Sequence, residues 1–298
     1  MPPSRPSITL VGAGKLARAI LPGLQDADYT VDAVVSTDGS SARRLVASFP
    51  GPRVIAIDDV VSHGSSLVLL AVPDRCIVEV ARRLANDDEP WSGRSVMHHA
   101  GALDLSPLEA LQAHGASVGL LHPLQSLGHD AAQLNSLRGS WARVDGCDAG
   151  LAVASRLCTD IGLHRLPLTS LSDSERARYH AAAALASNDV IGLLGLATEI
   201  LAGLGIDRRT AGSAITRLAA GTTSQADHGG LASALTGPVV RGDAEVVARH
   251  LDALSEIGND PFTIHTRLSR QLLALAIDSD EASRERLAKI ARILDDAG

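Results

Sequence analysis

The sequence predicts an α/β protein in two parts, a doubly wound sheet followed by an all-helical C-terminal domain. Three observations carry this reading. Near the N-terminus an apolar run, Ile8–Val11, ends in Gly12-Ala13-Gly14 and passes at once into an Ala-rich helical pattern. Short apolar runs then alternate with helical stretches as far as Leu168. Beyond Leu168 the strand signals stop and long helical patterns take over. The chain therefore divides into a Rossmann-type domain at 1–168 and a helical domain at 169–298.

The glycine turn gives the first half its chemistry. Gly12 permits a sharp turn, Gly14 lets the backbone approach a pyrophosphate, and the first helical N–H groups point at its negative charge. Ala17, where a third glycine often stands, is small enough for helix and strand to pack closely. A glycine turn that binds nothing is the alternative, and the flanking strand and helix weigh against it. Gly12, Ala13, Gly14, Lys15 and Leu16 are thus candidate cofactor contacts.

Composition bounds the partners. A chain of 298 residues can bury two cores, and a formal charge of −7 without a basic run argues against nucleic acid. Aromatic residues are only 2% of the chain, so the cores must be built from Ala, Leu, Val and Ile. The longest apolar stretches, such as Leu67–Val72, are too short to cross a bilayer, and with Met1–Ser7 running straight into the first strand no signal peptide is expected. Cys76, Cys147 and Cys158 are odd in number and widely spaced, which suits a reducing cytoplasm. The only lysines are Lys15 and Lys289, so lysine acids and Schiff bases are nearly excluded from the middle of the chain.

The second strand, Thr30–Val35, runs into Ser36-Thr37-Asp38-Gly39-Ser40-Ser41, with Arg43-Arg44 on the next helix. An NAD site usually holds the ribose with an acidic residue at this strand end. Asp32 sits at the wrong end of the strand, whereas Ser36, Thr37 and Arg43 suit a 2′-phosphate. NADP is favoured over NAD on this ground, although Asp38 could still reach a ribose. Val54–Ile57, Leu67–Val72, Ser95–His98 and Val118–Leu121 read as further strands. Ligands gather at the C-terminal ends of parallel strands, so Ala71, Val72, Pro73 and Gly101 are expected along the cofactor. Histidines at 98, 99, 114, 122 and 129 lack metal-ligand spacing and come from separate loops, so no metal is expected. His99 and His122 read as active-site rim or loop anchors, or simply as structural imidazoles.

Gly139–Val144 looks like one more strand and Ala149–Ile161 like a helix. Ser172 and Glu175 form a capping box, after which helical pattern continues to about Gly203. On such a helix His180, Ala184 and Asn188 share one face, and an imidazole and a carboxamide over an alanine floor leave room for a small substrate. A helix surface facing water is the competing reading. The helix is long enough to suggest a subunit interface, and Gly192 and Gly195 would allow close approach. Another helix covers Arg208–Thr222. Leu235–Asp243 then interrupts with a loop in which Arg241 offers a fork for a carboxylate and Asp243 reads as the cap of a helix at Ala244–Ile257. Pro261–Ile277 and Asp280–Leu294 read as closing helices.

These residues together resemble a family that pairs a Rossmann-like domain with a helical domain of once-unknown function. It lies in the 6-phosphogluconate-dehydrogenase-like group, near pyrroline-5-carboxylate reductase and ketopantoate reductase. The likeness rests on Val11–Gly14, Ala71–Asp74, His99–Ala102, His122–Gln125, Tyr179–Ala182 with Ser187-Asn188, and Leu235–Asp243. Ala100 departs from it, since the family tends to have serine there. The resemblance implies an NAD(P)-dependent reductase, with ketopantoate reduction of the alternative kind one candidate. Joined to the Ser36–Arg43 reading it points to an NADP-dependent oxidoreductase acting on a small 2-oxoacid, and the long helix points to a homodimer through the C-terminal helical domain. Classical ketopantoate enzymes use a helix-borne lysine that this chain lacks. His180 then becomes the proton donor, Asn188 orients the oxygen, and Arg241 or N–H groups near Gly237 hold the carboxylate. His122, Ser187 and Thr236 join them as substrate contacts. Two other functions fit: an imine reductase of the pyrroline-carboxylate type, and a non-catalytic NADP-binding sensor or scaffold.

Overall fold

The computed structural model describes residues 5–85, 91–128, 137–168, 170–276 and 281–297. Two compact units divide the chain between Ser187 and Asn188.

The first unit alternates strands and helices: β1 (Ile8–Val11), α1 (Lys15–Asp26), β2 (Val31–Val35), α2 (Ser40–Ser48), β3 (Arg53–Val54), α3 (Val60–His63), β4 (Leu67–Leu70) and α4 (Ile77–Leu84). It continues with β5 (Ser95–His98), α5 (Glu109–Ala113), β6 (Ser117–Pro123), β7 (Trp141–Gly146), α6 (Asp148–Asp160), β8 (His164–Arg165) and α7 (Asp173–Ala186). Among the described residues eight strands form one sheet in the order β3-β2-β1-β4-β5-β6-β7-β8. Every neighbouring pair is parallel except β6 and β7.

The apolar runs of β1 and β4 are buried along their whole length, as central strands covered on both faces must be. Alternation splits the core. Leu10, Leu69, Met97, Leu121 and Val144 face α1 and α6, whereas Val11, Val68, Leu70, Val96 and Val118 face α4 and Trp91. One register row crosses the sheet through Val11, Leu70, His98, Leu120 and Asp145.

Several boundaries differ from expectation. β3 is Arg53–Val54 rather than Val54–Ile57, because Ile57 already belongs to a 3-10 turn with Asp58 and Asp59. Gly139 sits in a left-handed turn (φ 81°), so β7 starts later than expected and runs on to Gly146, paired with a longer β6. β8 is a two-residue strand of His164 and Arg165 with no apolar pattern to announce it. The first unit also extends beyond Leu168, since α7 is tied to it by side chains described below. Its start is built as the capping box predicts: Glu175 N–H donates to Ser172 Oγ and Ser172 N–H to the Glu175 carboxylate.

The second unit comprises α8 (Asn188–Ala202), α9 (Arg208–Gly229), α10 (Leu231–Ala234), α11 (Pro238–Arg241), α12 (Ala244–Ile257), α13 (Asn259–Ala276) and α14 (Glu281–Asp296). Its core gathers Val239, Val247, Leu251, Ile290 and Leu294, with Phe262 and Leu273 packed against them. The expected helix ends at Ile277 and Asp280 lie outside the described residues. The run from Ser172 to Gly203 is not one regular helix. α7 ends at Ala186, Ser187 leaves helical geometry at φ −123° and ψ −75°, and α8 begins at Asn188. By length and composition Asp173–Ala202 is apolar enough to cross a membrane, which the longest uninterrupted apolar runs did not suggest. None of its apolar window is buried.

Candidate active site

The turn after β1 has the geometry a nucleotide needs. Gly12 lies at φ 112° and donates its N–H to Val35 O at 2.9 Å; a Cβ there would fall 2.2 Å from Ala71 O. No side chain other than hydrogen fits. Gly14, the residue before α1, is the opposite case, for a Cβ there would meet nothing within 4 Å. The first turn of α1 holds no acidic residue, and among the described residues no side chain caps it. Its leading N–H groups therefore keep their partial positive charge without a side-chain cap, which fits a dinucleotide pyrophosphate. Lys15 is exposed beside it, while Ala13 and Leu16 pack into the core under the turn.

At the end of β2 the polar groups divide. Both Asp38 carboxylate oxygens are taken, one by Ser40 N–H at 3.0 Å and one by Ser40 Oγ at 2.7 Å, and these bonds hold its carboxyl below the ordinary range. Ser36 Oγ accepts from Ala42 N–H. Thr37 and Arg43 are exposed. Asp32 accepts from Ser65 Oγ at 2.7 Å at the opposite end of the strand, where the sequence put it.

A polar cluster closes the ends of β5, β6 and β7. His98 Nε2 donates to Asp104 O at 2.7 Å and its Nδ1 accepts from Ala100 N–H, so the ring is neutral, and burial holds its pKa below the ordinary value. His99 Nδ1 donates to Leu121 O at 2.6 Å; burial, first of all, brings its pKa down to about 4. His122 Nδ1 lies 2.8 Å from the Tyr179 hydroxyl. Burial and then the nearby His180 depress His122 to about 4, and burial pushes Tyr179 up to about 12. Opposite His122 in the β6–β7 register stands Arg143, fully buried. It donates to Asp145 at 3.0 Å and to Gly101 O and Leu103 O at 3.3 and 3.4 Å, tying β7 to the loop after β5.

α7 brings the last components. Arg176 donates to Asp104 at 3.2 Å, to Leu171 O and to Asp173. Arg176, Tyr179 and His180 are spaced i, i+3, i+4 and so share one helix face. That face carries His180, itself exposed, to the neighbourhood of His122.

The structure thus assembles the candidates of the first unit around the strand ends. Ala71, Val72 and Pro73 follow β4, with Ala71 N–H bonded to Val11 O at 2.7 Å. Gly101 is buried, and a Cβ on it would fall 2.6 Å from the His122 ring, so packing against that imidazole also demands a glycine there. Ser187 and Asn188 mark the helix break and the start of the second unit, so the face expected from His180 through Ala184 to Asn188 does not run along one helix. Arg241 is paired rather than free, its Nε 2.9 Å from Asp243. Asp243 stands at the N-cap of α12, yet its carboxylate takes Arg241 in place of the helix N–H groups expected of it. Gly237 (φ 95°) precedes α11 and Thr236 is exposed. Of the five histidines considered for metal, His129 lies outside the described residues.

Sequence reasoning missed Arg143 and Asp145. A signal was there: in Ala142-Arg143-Val144-Asp145 two charges alternate with two apolar residues, which places both charges on one face of a strand.

Comparison with known proteins agrees with this geometry. Residues 1–123 match a Rossmann-like domain, and residues 140–271 match a domain of unknown function, DUF2520. The chain carries a Rossmann-like domain followed by DUF2520. No curated protein matches the sequence. Among solved structures, the protein TM1727 of Thermotoga maritima is 23% identical, with a TM-score of 0.66 over 91% of this chain and 98% of that one. A Bacteroides fragilis protein named for NADP oxidoreductase activity is 19% identical, with a TM-score of 0.65 over 90% of this chain and 98% of that one. A pyrroline-5-carboxylate reductase of Coxiella burnetii is 16% identical, with a TM-score of 0.60 over 90% and 99%. These likenesses establish the fold. The DUF2520 match begins at the start of β7, so it takes in Arg143, Asp145 and the whole of α7.

Proposed function

We propose that this protein is an NADP-dependent oxidoreductase that reduces a small 2-oxoacid, with ketopantoate as one candidate substrate. The observation that carries the reading is the open N-terminus of α1 behind Gly14, on the same sheet edge as the polar cluster around His122. Bound at that turn, the reduced nucleotide would supply hydride. NADP is preferred because Asp38 is occupied by Ser40 while Thr37 and Arg43 remain exposed where a 2′-phosphate would lie. His180 is the proposed proton donor, since hydride arrival builds negative charge on the carbonyl oxygen. Asn188 is the proposed residue that orients this oxygen, and Arg241 a proposed carboxylate ligand through the guanidinium N–H groups that its Nε bond to Asp243 does not use. His122, Ser187, Thr236 and the backbone at Gly237 complete the proposed substrate contacts.

One observation favours imine reduction instead. His122 and Tyr179 are hydrogen-bonded to each other at 2.8 Å, with burial lowering the pKa of the one and raising that of the other, and an imine that arrives protonated needs no donor from this pair. The name of the Coxiella burnetii neighbour points the same way. We also propose that a second copy of the chain covers the apolar side of the helical domain. α8 has no buried residue, and Ile191 and Leu193 are exposed. The proposed setting is the cytoplasm, in keeping with three free cysteines.

The test is NADPH consumption against a panel of 2-oxoacids and cyclic imines, repeated with NADH and with His180→Ala. Oxoacid turnover that falls by about 10²-fold or more in His180→Ala supports the leading reading. Turnover of imines alone, untouched by His180→Ala, selects the imine reductase. Tight NADP binding with no turnover at all overturns both in favour of a sensor.

A further inference from the structure

Four buried side-chain atoms have no hydrogen-bond partner among the described residues: His99 Nε2, Arg143 Nε, Ser269 Oγ and Arg270 Nε. Three of these are donors on groups bonded elsewhere or a hydroxyl free to rotate. His99 Nε2 differs in kind. Because Nδ1 donates to Leu121 O at 2.6 Å, and burial keeps the ring neutral, Nε2 carries a bare lone pair. It is a fixed acceptor that awaits a donor.

Its position says which donor. The register row through Val11, Leu70, His98 and Leu120 is followed, one residue further on, by Gly12, Ala71, His99 and Leu121. His99 therefore stands at the ligand edge in the row of the glycine turn. Residues adjacent across strands share a face, and Ala71 and Leu121 belong to the core that α1 covers. Carried one residue past the last paired positions, that alternation puts the imidazole on the α1 side of the sheet, two strands along from Gly12, or about 10 Å at the usual strand spacing. The adenosine half of a dinucleotide would extend from the turn toward β2, and the nicotinamide half the other way, over β4 and β5.

We infer that His99 Nε2 accepts a hydrogen bond from the carboxamide N–H of the nicotinamide, and so fixes the rotation of that ring. The inference rests on the proposed dinucleotide reading. A carboxamide is a suitable partner because it presents two N–H donors on the one substituent that distinguishes the ring's two faces. His99 is here a positioning residue: it sets which face of the ring meets the substrate without touching the reacting carbon.

The experiment uses the full chain without substrate and measures binding of three probes. They are NADP⁺, its 3-acetylpyridine analogue, in which a methyl group replaces the amide nitrogen, and 2′-phospho-ADP-ribose, which has no nicotinamide. Wild type is expected to bind NADP⁺ about tenfold more tightly than the analogue, the worth of one hydrogen bond at a buried acceptor. In His99→Phe that preference falls to about onefold while 2′-phospho-ADP-ribose binds as in wild type. Independently of any variant, the ¹⁵N resonance of His99 Nε2 moves upfield on addition of NADP⁺ and stays in place with the analogue. Equal affinity of wild type for NADP⁺ and the analogue, a preference that survives His99→Phe, or an unmoved resonance overturns the inference and leaves the dinucleotide site standing. Failure of all three probes to bind removes the dinucleotide reading itself and the inference with it.

Discussion

His122 Nδ1 and the Tyr179 hydroxyl lie 2.8 Å apart, joining the last strand of the parallel ladder to the helix that ends the first unit. Their rings meet edge to face with centroids 5.6 Å apart, so the contact is both a hydrogen bond and an aromatic pair. Tyr179→Phe keeps the ring contact and loses the bond, and is expected to cost about 1 kcal/mol. Gly101→Ala attacks the same imidazole from the other side, where a Cβ would stand 2.6 Å from it, and should cost about 1–3 kcal/mol. Urea denaturation of the two single variants and the double checks this. Non-additive losses are expected, because both act on one ring.

The two glycines of the nucleotide turn should separate fold from binding. Gly12→Ala meets Ala71 O at 2.2 Å and demands a left-handed backbone, so a loss of several kcal/mol or failure to fold is expected. Gly14→Ala meets nothing and should melt within a few degrees of wild type. Its methyl group stands where the pyrophosphate must approach, so NADP⁺ affinity should fall at least about tenfold, read by calorimetry.

Arg143 and Asp145 form a pair whose two members are not equivalent to delete. Arg143→Ala leaves the Asp145 carboxylate uncompensated in a buried setting and frees the carbonyls of Gly101 and Leu103. A loss of about 3–5 kcal/mol is expected. Arg143→Met with Asp145→Asn removes both charges together and should recover part of it. Equal losses in the single and double variants would show that the pair's charge is irrelevant to stability.

Acid should unfold the first unit through its buried imidazoles. His99 and His122 are held down to about 4 from an unfolded value of 6.5, chiefly by burial. A depressed pKa means that the unfolded chain takes up protons first. The stability these rings contribute is complete above about pH 6.5 and is lost as pH falls toward 4. Each group steepens the fall of stability with acid within that window. Urea midpoints measured from pH 7.5 to 4 should fall steeply below 6.5, and His122→Asn should flatten the curve. An unchanged slope in that variant would locate the acid sensitivity elsewhere.

What was legible in the chain itself was whatever depends on neighbours in sequence. The Gly12–Gly14 turn, the buried runs of β1 and β4, the capping box at Ser172 and the misplaced Asp32 all express local geometry and periodicity. Even α12 was found residue for residue, since Asp243 and Gly258 bracket an amphipathic repeat. Tertiary structure decided which polar groups are occupied. Arg241 has the right chemistry for a substrate carboxylate, and only the fold shows that its Nε is bonded to Asp243. Gly101 is expected along the cofactor, and only the fold shows the ring of His122 beside it. Arg143 looked like a charge on an edge strand, and the fold buries it completely. The reason is physical. Helix and strand periods are set by adjacent residues, whereas the partner and the desolvation of a side chain depend on residues brought beside it only when distant strands close into a sheet.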